Sequence, residues 1–388
     1  MKTLRMLLLA AACLPVSVAP AQDFHGFDPA GFDGGMLSAE ALKAMAEDAA
    51  KATPPRNGER LVIGFANLQR DISFGVLVEQ GIVKNAEAAG VELVIADNRL
   101  DGPTALANAN SFVQRGVDYA IEFQTDANFG PAVMQVFDAA GTKVTAIDIP
   151  MPDAGFFGVN NPRSGFMGGS FLAHEAKTAY GDRVRDAYLV IGALPQSGAI
   201  PRMRTDGQRA GFLAMTPGFP TDRVIEIDTK NTLQEAYAQM SNVIGRIPPG
   251  APILIIAIND QATVGMLQAV RAAGRVDDAI AVGNGADEAQ AIATDPKLVG
   301  ATGSFPSSYG NYLVPIALAT LAGKPVPPAV FVTHEIVTKA NVCQFYPEQP
   351  CSGEPTTYRF PEPQFESYLV ELRKQDWLKG YEALLPSN

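Results

Sequence analysis

The feature that most constrains the fold of this chain is a regular alternation of apolar runs and helical stretches that begins at Leu61. Many of the runs are continuous Val, Ile and Leu sequences, which is typical of strands buried on both faces of a sheet. The predicted strands lie at 61–67, 91–96, 119–123, 144–148, 187–191, 224–227, 253–258, 279–282, 299–302 and 330–335. Strands that alternate with helices form parallel, doubly wound sheets. Because these strands are too many for one small sheet, we predict an α/β fold with two Rossmann-like lobes.

Three of the predicted helices end in the same way, with two alanines followed by a glycine. These endings are at Gly90, Gly141 and Gly274, each just before the next strand. Glycine adopts the left-handed backbone conformation that closes a helix without a steric penalty. The glycine pair Gly168-Gly169 lies inside a predicted helix instead, and we expect it to allow close packing against a neighbouring helix.

The first residues have the pattern of an export signal. A positively charged start is followed by an apolar stretch from Met6 to Ala12 and by an Ala-x-Ala motif that ends at Ala21. We therefore expect a signal peptide at 1–21 and a mature protein in the periplasm. A lipoprotein signal that ends at Cys13 is the alternative, but the apolar stretch before that cysteine is very short.

The mature chain is acidic. Removing the signal peptide takes away Lys2 and Arg5 and no acidic residue, so the formal net charge changes from −11 to −13. A strongly acidic chain is unsuited to nucleic acid or to an anionic membrane surface as its main partner. The mature length is sufficient for two domains with sizeable cores.

The segment at 22–59 differs from the regular part of the chain. It begins with a stretch rich in Gly, Phe and Asp that has no periodicity. A short helix from Ser38, its predicted N-cap, to Lys51 follows, and a Pro-containing linker ends the segment. We interpret this segment as an N-terminal extension.

The C-terminal part of the chain holds the two cysteines that remain after export. Cys343 and Cys351 are close in sequence, and an even number of cysteines in an exported chain predicts one disulfide. Two free, buried cysteines are the alternative. Residues 346–388 form a C-terminal extension that we expect to pack on the lobes, with a helical stretch at 365–385 and Trp377 as a packing anchor.

Motifs of known chemistry are missing from the sequence. The histidines His25, His174 and His334 do not have the spacing of metal ligands, and no cysteine is placed for zinc. The sequence contains no dinucleotide-binding glycine motif, no phosphate-binding loop and no nucleophile elbow. We therefore expect no metal, no cofactor and no catalytic residue, although a pair of carboxylates for glycoside hydrolysis stays open at this stage.

Polar side chains follow most of the predicted strands. In open α/β sheets, ligands bind outside the carboxyl ends of the strands, so these residues predict a polar cleft. Asp, Asn and Arg form the bidentate hydrogen bonds that adjacent sugar hydroxyls need, and an aromatic ring such as Phe74 can stack on a sugar. Caps and turns are the alternative for any single residue. The strand-end candidates are Asp71, Asp126, Asp148, Asn259, Asn284 and Ser304.

Several motifs together resemble the type I periplasmic binding proteins, the ribose-binding group that shares its fold with lac-repressor-family effector domains. The resemblance covers about 60–340. The matching motifs are Phe74 with Gly81, Asn108 before Val113-Gln-Arg-Gly-Val-Asp118, Gln124-Thr-Asp126, 155–169, Ile258-Asn259-Asp260, Val282-Gly-Asn-Gly285 and 302–310.

The resemblance implies a cleft between two lobes and three connecting strands that form a hinge. It places the first lobe at 60–148 plus 305–333 and the second at 149–304 plus 334–345. The implied hinge residues are Asp148, Ser304, Phe305, Thr333 and His334. The implied ligand residues are Phe74, Asn108, Asp126, Asn259 and Asn284, with the clamping position of the family at either Arg204 or Gln208.

The resemblance also implies that the chain captures a small molecule by closing its lobes and delivers it to an ABC permease, as a monomer. The loop at 69–75 is longer than in ribose binders, and Asn284 and Ser304 replace an aspartate and a glutamine of the family. A sugar, a polyol or a sugar acid therefore stays open. The alternatives are a sensor module that passes a sugar or an autoinducer-2-like signal to a membrane receptor, and an exported hydrolase.

Overall fold

In the computed structural model of the protein, the described residues are 37–381 without Thr125, together with Leu385. The predicted signal peptide and the first part of the predicted N-terminal extension, 22–36, lie outside these residues. Across the described range, no helix combines the length and the apolar character that a membrane span requires.

The secondary structure alternates as the sequence predicts. The strands are β1 (Val62–Asn67), β2 (Glu92–Asp97), β3 (Tyr119–Glu122), β4 (Lys143–Ile147), β5 (Gly155–Val159), β6 (Tyr188–Ala193), β7 (Val224–Asp228), β8 (Ile253–Ala257), β9 (Ala279–Gly285), β10 (Leu298–Gly303), β11 (Ala329–Val332) and β12 (Glu335–Val337). The helices are α1 (Ala39–Ala52), α2 (Ser73–Ala89), α3 (Gly102–Gln114), α4 (Gly130–Ala139), α5 (Asn161–Tyr180), α6 (Ala199–Met215), α7 (Leu233–Ile244), α8 (Asp260–Ala272), α9 (Ala289–Thr294), α10 (Gly310–Leu321), α11 (Val342–Phe345) and α12 (Glu362–Leu372).

The described strands form two sheets of six. The first sheet is parallel throughout and has the order β11-β5-β4-β3-β1-β2. The second has the order β12-β10-β9-β8-β6-β7, and only its edge strand β12 is antiparallel. Each sheet has helices and separate hydrophobic clusters on its two faces, so the fold is the predicted pair of doubly wound α/β lobes.

The chain passes between the lobes three times: after β5 near Asn160, after β10 at 304–305, and after β11 at 333–334. The sequence predicts the first boundary after 148, but β5 pairs with β4 and β11 and therefore belongs to the first lobe. This strand is missing from the predicted set because its glycines and the prolines before it have low strand propensity. The single strand predicted at 330–335 is divided between the two lobes as β11 and β12.

Helix α1 belongs to the first lobe, although the sequence predicts an extension there. Ser38 caps the helix as predicted, because its side chain accepts a hydrogen bond from the backbone of Ala41. Leu42, Ala46 and Ala49 lie on one face of the helix and are buried in the core of the first lobe. The helix therefore contributes to the core and is not a free arm.

The C-terminal segment packs on helices α5 and α6 of the second lobe. Tyr358 hydrogen-bonds Ser170 over 2.7 Å, and Phe365 and Leu369 are buried against these helices. Helix α12 ends at Leu372, earlier than the predicted helical stretch, and a short turn follows. Trp377 lies in that turn with the guanidinium of Arg202 4.3 Å from its ring centroid, which confirms its packing role.

The predicted disulfide between Cys343 and Cys351 is present, with a Cα–Cα distance of 5.2 Å. It closes a short loop that begins at α11, directly beyond the antiparallel edge strand β12. Cys351 also packs against the core of the second lobe together with Phe345. The disulfide therefore joins the start of the C-terminal segment to the edge of the second lobe.

Candidate ligand-binding site

Both lobes contribute to one cavity, which lies where the carboxyl ends of their strands face each other. Its volume is about 70 Å³. A single water needs roughly 10–15 Å³ of such a cavity. The cavity in this closed arrangement is therefore suited to a solute of monosaccharide size or smaller, and an oligosaccharide does not fit. Its polar lining consists of Asp148, Arg204, Asn231, Asn259, Asn284 and Ser304.

Arg204 enters the cavity from α6 of the second lobe. Its Nε donates to Asn161 Oδ1 over 2.8 Å, and its Nη1 donates to the carbonyl of Ile258 over 2.6 Å. These two bonds fix the plane of the guanidinium and leave its other nitrogen for a ligand. Burial lowers the pKa of Arg204, and the nearby carboxylate of Asp148 opposes that shift.

Asp148 faces Arg204 from the end of β4 in the first lobe. Its Oδ1 accepts a hydrogen bond from the backbone of Val159 over 2.8 Å. Its φ of 58° lies in the left-handed region, which costs a residue with a side chain about 1–2 kcal/mol. A Cβ on Gly158 would collide with this carboxylate, so glycine is required there. Burial raises the pKa of Asp148, and Arg204 acts in the opposite direction.

Amide side chains line the second-lobe side of the cavity. Asn259 caps α8 by accepting from the backbone of Ala262, and its Nδ2 donates to Asn231 Oδ1 over 2.8 Å. Asn284 accepts a hydrogen bond from Ser164 over 2.8 Å. Each amide is held in one orientation by its neighbours, so its remaining donors and acceptors are preorganised for a ligand.

Among the described residues that line the cavity, those of the first lobe are apolar except for Asp148. We name this surface the apolar wall, and it consists of Leu68, Ile72, Phe74, Phe123, Ile149 and Val159. Phe74 is held by edge-to-face contacts, with its ring centroid 6.0 Å from that of Phe123 and 5.7 Å from that of Tyr309. The ring that the sequence predicts as a stacking platform is therefore present and fixed in place.

Six of the predicted ligand residues line the cavity, and four do not. Those that line it are Phe74, Asp148, Arg204, Asn259, Asn284 and Ser304. Gln208 points into the second lobe, where its Nε2 donates to the carbonyl of Ala257, so Arg204 is the one of the two candidates that faces the cavity. Asp71 is exposed and bonds Gln69, and Asp126 caps the short helical turn that follows it.

Asn108 also lies outside the cavity lining, in a polar network of the first lobe. Its Nδ2 donates to Asn98 Oδ1 over 2.8 Å, and Asn98 in turn donates to Glu122 over 2.7 Å. Glu122 is almost completely buried, and burial raises its pKa to about 8. Asn108, Asn98 and Glu122 therefore form one hydrogen-bonded chain.

The sequence did not indicate Asn231, the apolar wall apart from Phe74, or the apolar second-lobe residues of the cavity as parts of a site. Asn231 follows β7 and carries the same signal as the other strand-end amides, so the same rule could have found it. The apolar lining residues give no such signal, because a Leu or Ile at a strand end has the same chemistry in a cavity wall as in a core.

Individual contacts join the two lobes. Ser73 Oγ at the start of α2 donates to Glu288 Oε1 of the second lobe over 2.7 Å. The lobes also approach each other at Gly198 of the second lobe and Ala127 of the first. A Cβ atom at position 198 would be 3.5 Å from the Cβ of Ala127. These contacts define a closed arrangement around the cavity.

The connecting segments are themselves well bonded. The backbone of Ser304 donates to the carbonyl of Gly285 over 3.0 Å, and His334 Nδ1 is 2.9 Å from the carbonyl of Gly303. Phe305 adopts a left-handed backbone with a φ of 52°. Burial lowers the pKa of His334 to about 4, so this histidine is neutral near pH 7. The predicted hinge residues Ser304, Phe305, Thr333 and His334 all lie in these connections, whereas Asp148 lies at the end of β4.

Two α/β lobes, three connections and a cavity that closes between them define the class of two-lobed solute-binding proteins. A family model described as "Periplasmic binding protein domain" matches residues 63–325. The chain belongs to this family, and its fold is that of the type I members, as the sequence motifs indicated.

Individual relatives support this assignment at low sequence identity. The chain is 23% identical to the ribose import binding protein RbsB of Bacillus subtilis over 296 residues, which are 75% of this chain and 91% of that protein. It is 25% identical to a putative rhizopine-binding protein of Rhizobium meliloti over 296 residues, 73% and 92% of the two chains. An ABC transporter solute-binding protein of Mycobacterium smegmatis, solved with bound glycerol, has a TM-score of 0.64 and 23% identity, with coverage of 76% and 99%.

Proposed function

We propose that this protein is the periplasmic solute-binding component of an ABC importer and that it captures a sugar or a polyol. The cavity between the lobes carries the proposal, because fixed polar groups from both lobes face the same small space. A solute that contacts both lobes binds the closed form more tightly than the open form and so favours closure. The closed protein then docks, as a monomer, on a membrane permease.

The comparisons support this choice of ligand. One relative is named as a ribose import protein, and a solved structure of similar fold holds glycerol. In the present cavity, Asp148 can accept hydrogen bonds from hydroxyl groups, and Arg204 can donate to them. The proposed lobes are 39–159 with 306–332, and 161–303 with 335–345, and they move about the three connections.

A thermal-shift screen tests the proposal. The mature protein is heated with sugars, polyols, sugar acids, nucleosides and amino acids in separate wells. A true ligand at 100 times its Kd stabilises the folded protein by about 2.7 kcal/mol through mass action. We expect sugars or polyols to raise the melting temperature. If only solutes of another class stabilise the protein, the proposed sugar or polyol ligand is wrong. If no solute of any class stabilises it, the proposed solute-binding function is wrong.

The ligand should leave the protein chemically unchanged. We expect mass spectrometry to recover the bound solute intact after prolonged incubation, because the chain acts as a carrier. Turnover that is lost when Asp148 is replaced by Asn would instead assign a hydrolase. A permease and an ATPase encoded beside this gene would favour import, and a membrane receptor beside it would favour sensing.

A further inference from the structure

The cavity has two unlike sides. The second lobe and its connection supply three apolar residues, Leu194, Pro201 and Ile258, together with five polar ones, namely Arg204, Asn231, Asn259, Asn284 and Ser304. Among the described lining residues, the first lobe supplies the apolar wall and the carboxylate of Asp148. A solute in this cavity therefore has one edge surrounded by hydrogen-bonding groups and an opposite edge in contact with hydrocarbon.

The first lobe contains polar residues near this wall, but they do not reach the cavity. Asn98 and Asn108 bond each other and Glu122, as described above. Asn67 donates to the carbonyl of Gly75 and to Glu79, and Glu79 also pairs with Arg70. Because Asn67, Asn98 and Asn108 already have partners, they cannot meet the hydroxyl groups of a solute without breaking existing bonds. The side-chain amide of Gln124 has no partner among the described residues, but Gln124 is outside the cavity lining.

An unpaired hydroxyl against the apolar wall carries a clear cost. Leaving a buried polar group without a partner lowers affinity by about 5- to 150-fold. Burying one methylene group in its place raises affinity by about fourfold. A sugar can lay one C–H face on Phe74, but the aliphatic side chains of Leu68, Ile72 and Ile149 beside that ring offer no partner to a hydroxyl.

Resting on the proposed function, we propose that the ligand is a one-sided polar solute, a deoxy sugar or a partly deoxygenated polyol of monosaccharide size. Its hydroxyl groups meet Arg204 and the amides of the second lobe. Its hydrocarbon edge meets the apolar wall, and Asp148 accepts hydrogen bonds from hydroxyl groups on the first-lobe side. The wall thus discriminates against solutes that carry hydroxyl groups on every edge.

Matched pairs of solutes test this inference by titration calorimetry on the mature protein. The pairs are L-fucose with L-galactose, cyclohexane-1,2-diol with myo-inositol, and propane-1,2-diol with glycerol. Each pair shares a carbon skeleton and differs in its hydroxyl groups. We expect the less hydroxylated member to bind at least fivefold more tightly in every pair that binds.

A variant pair identifies the wall as the cause. Val159→Thr keeps the shape of a wall residue and adds one hydroxyl, so the preference for the less hydroxylated member should fall several-fold. Val144→Thr makes the same change in the buried core of the first lobe, away from the cavity, and should leave the preference unchanged. An unchanged preference in Val159→Thr, together with retained binding, would show that the wall does not set it.

The two proposals fail in different ways. If a fully hydroxylated member binds as tightly as its partner, the inference about the ligand is wrong and the solute-binding function stands. If none of the six probes binds while another solute of the thermal-shift screen does, the ligand class is again wrong. If no solute in either experiment binds, the proposed function fails together with the inference.

Discussion

Arg204 shows how one residue of the cavity serves the fold and the ligand together. Two of its nitrogens are used by Asn161 and by the carbonyl of Ile258, which lie at the first connection and after β8. Its charge faces Asp148 across the cavity without direct contact in an ion pair. A ligand between these two residues completes the pairing that neither lobe makes by itself.

Replacing Arg204 with Met should therefore weaken the binding of the solute that the thermal-shift screen identifies. Truncating one partner of a buried, hydrogen-bonded charge pair costs about 2–5 kcal/mol, or roughly 30- to 5,000-fold in Kd. Calorimetry measures the loss. Arg202→Met is the matched control, since Arg202 is exposed two residues away and contacts only the outer face of Trp377 among aromatic rings. Equal affinity in Arg204→Met and in the native protein would remove Arg204 from the site.

Glu122 gives a second prediction at the residue scale, which concerns how the stability of the folded protein depends on pH. Its pKa in the folded protein is about 8, above its ordinary value of 4.5, because it is buried with only Asn98 as a partner. Between these pH values the folded chain keeps the proton and the unfolded chain releases it. The stability from this group is therefore fully present below about pH 4.5 and is lost as the pH rises to about 8.

Glu122→Gln should flatten that pH dependence, because glutamine imitates the protonated acid. We expect the native protein to lose about 3 kcal/mol more stability than the variant between pH 5 and pH 8, measured by thermal melting. Burial also raises the pKa of Asp260, to about 7, so the stability of the Glu122→Gln variant should still fall somewhat as the pH rises. Glu92→Gln, which changes an exposed ion pair, should follow the native profile. A Glu122→Gln profile parallel to the native one would contradict the prediction.

At the scale of elements, the packing of α5 against α6 decides where Arg204 points. A Cβ on Gly169 would collide with the backbone carbonyl of Gln208, and one on Gly165 would collide with that of Arg204. The two helices are thus in backbone contact along glycines, as the sequence indicated for the Gly168-Gly169 pair. This contact fixes the rotation of α6 about its axis.

Gly169→Ala should push these helices apart. We expect a loss of stability of about 1–3 kcal/mol from overpacking and weaker solute binding, because α6 carries Arg204. Scanning calorimetry with a binding titration measures both effects. Gly245→Ala is the control, because a Cβ there meets no atom within 4 Å and its φ is −64°. A Gly169→Ala protein as stable as the control would mean that the helices can separate freely.

The same elements show what the sequence can predict. Helix-closing glycines were predicted at Gly90, Gly141 and Gly274, and all three have positive φ values. The strands with long apolar runs were predicted correctly from the sequence. The glycine-rich strand β5 was not predicted, because its position in the sheet depends on pairing with β4 and β11. Arg204 and Gln208 are one helical turn apart and differ by about 40° around the axis, so only the packed helix decides between them.

At the scale of the whole molecule, the described residues join the two lobes through individual contacts in addition to the three connections. Two of them are the hydrogen bond between Ser73 and Glu288 and the approach of Gly198 to Ala127. A single hydrogen bond contributes about 0.5–1.5 kcal/mol, so such contacts hold the closed form only weakly. A ligand that bonds both lobes adds enough to shift the population toward closure.

Spin labels on the two lobes test this closure. Val76 on α2 and Gln290 on α9 are exposed near the Ser73–Glu288 contact, and cysteines there accept labels because the described native cysteines are joined in a disulfide. We expect a broad distance distribution without solute and a shorter, narrower one at saturation, with a shift toward the open form in Glu288→Gln. A second pair at Val76 and Asn110, within the first lobe, should not respond. Because the cavity is enclosed by both lobes, a solute that binds without changing the distance between them would require a permanently closed protein, and the connections would then not act as a hinge.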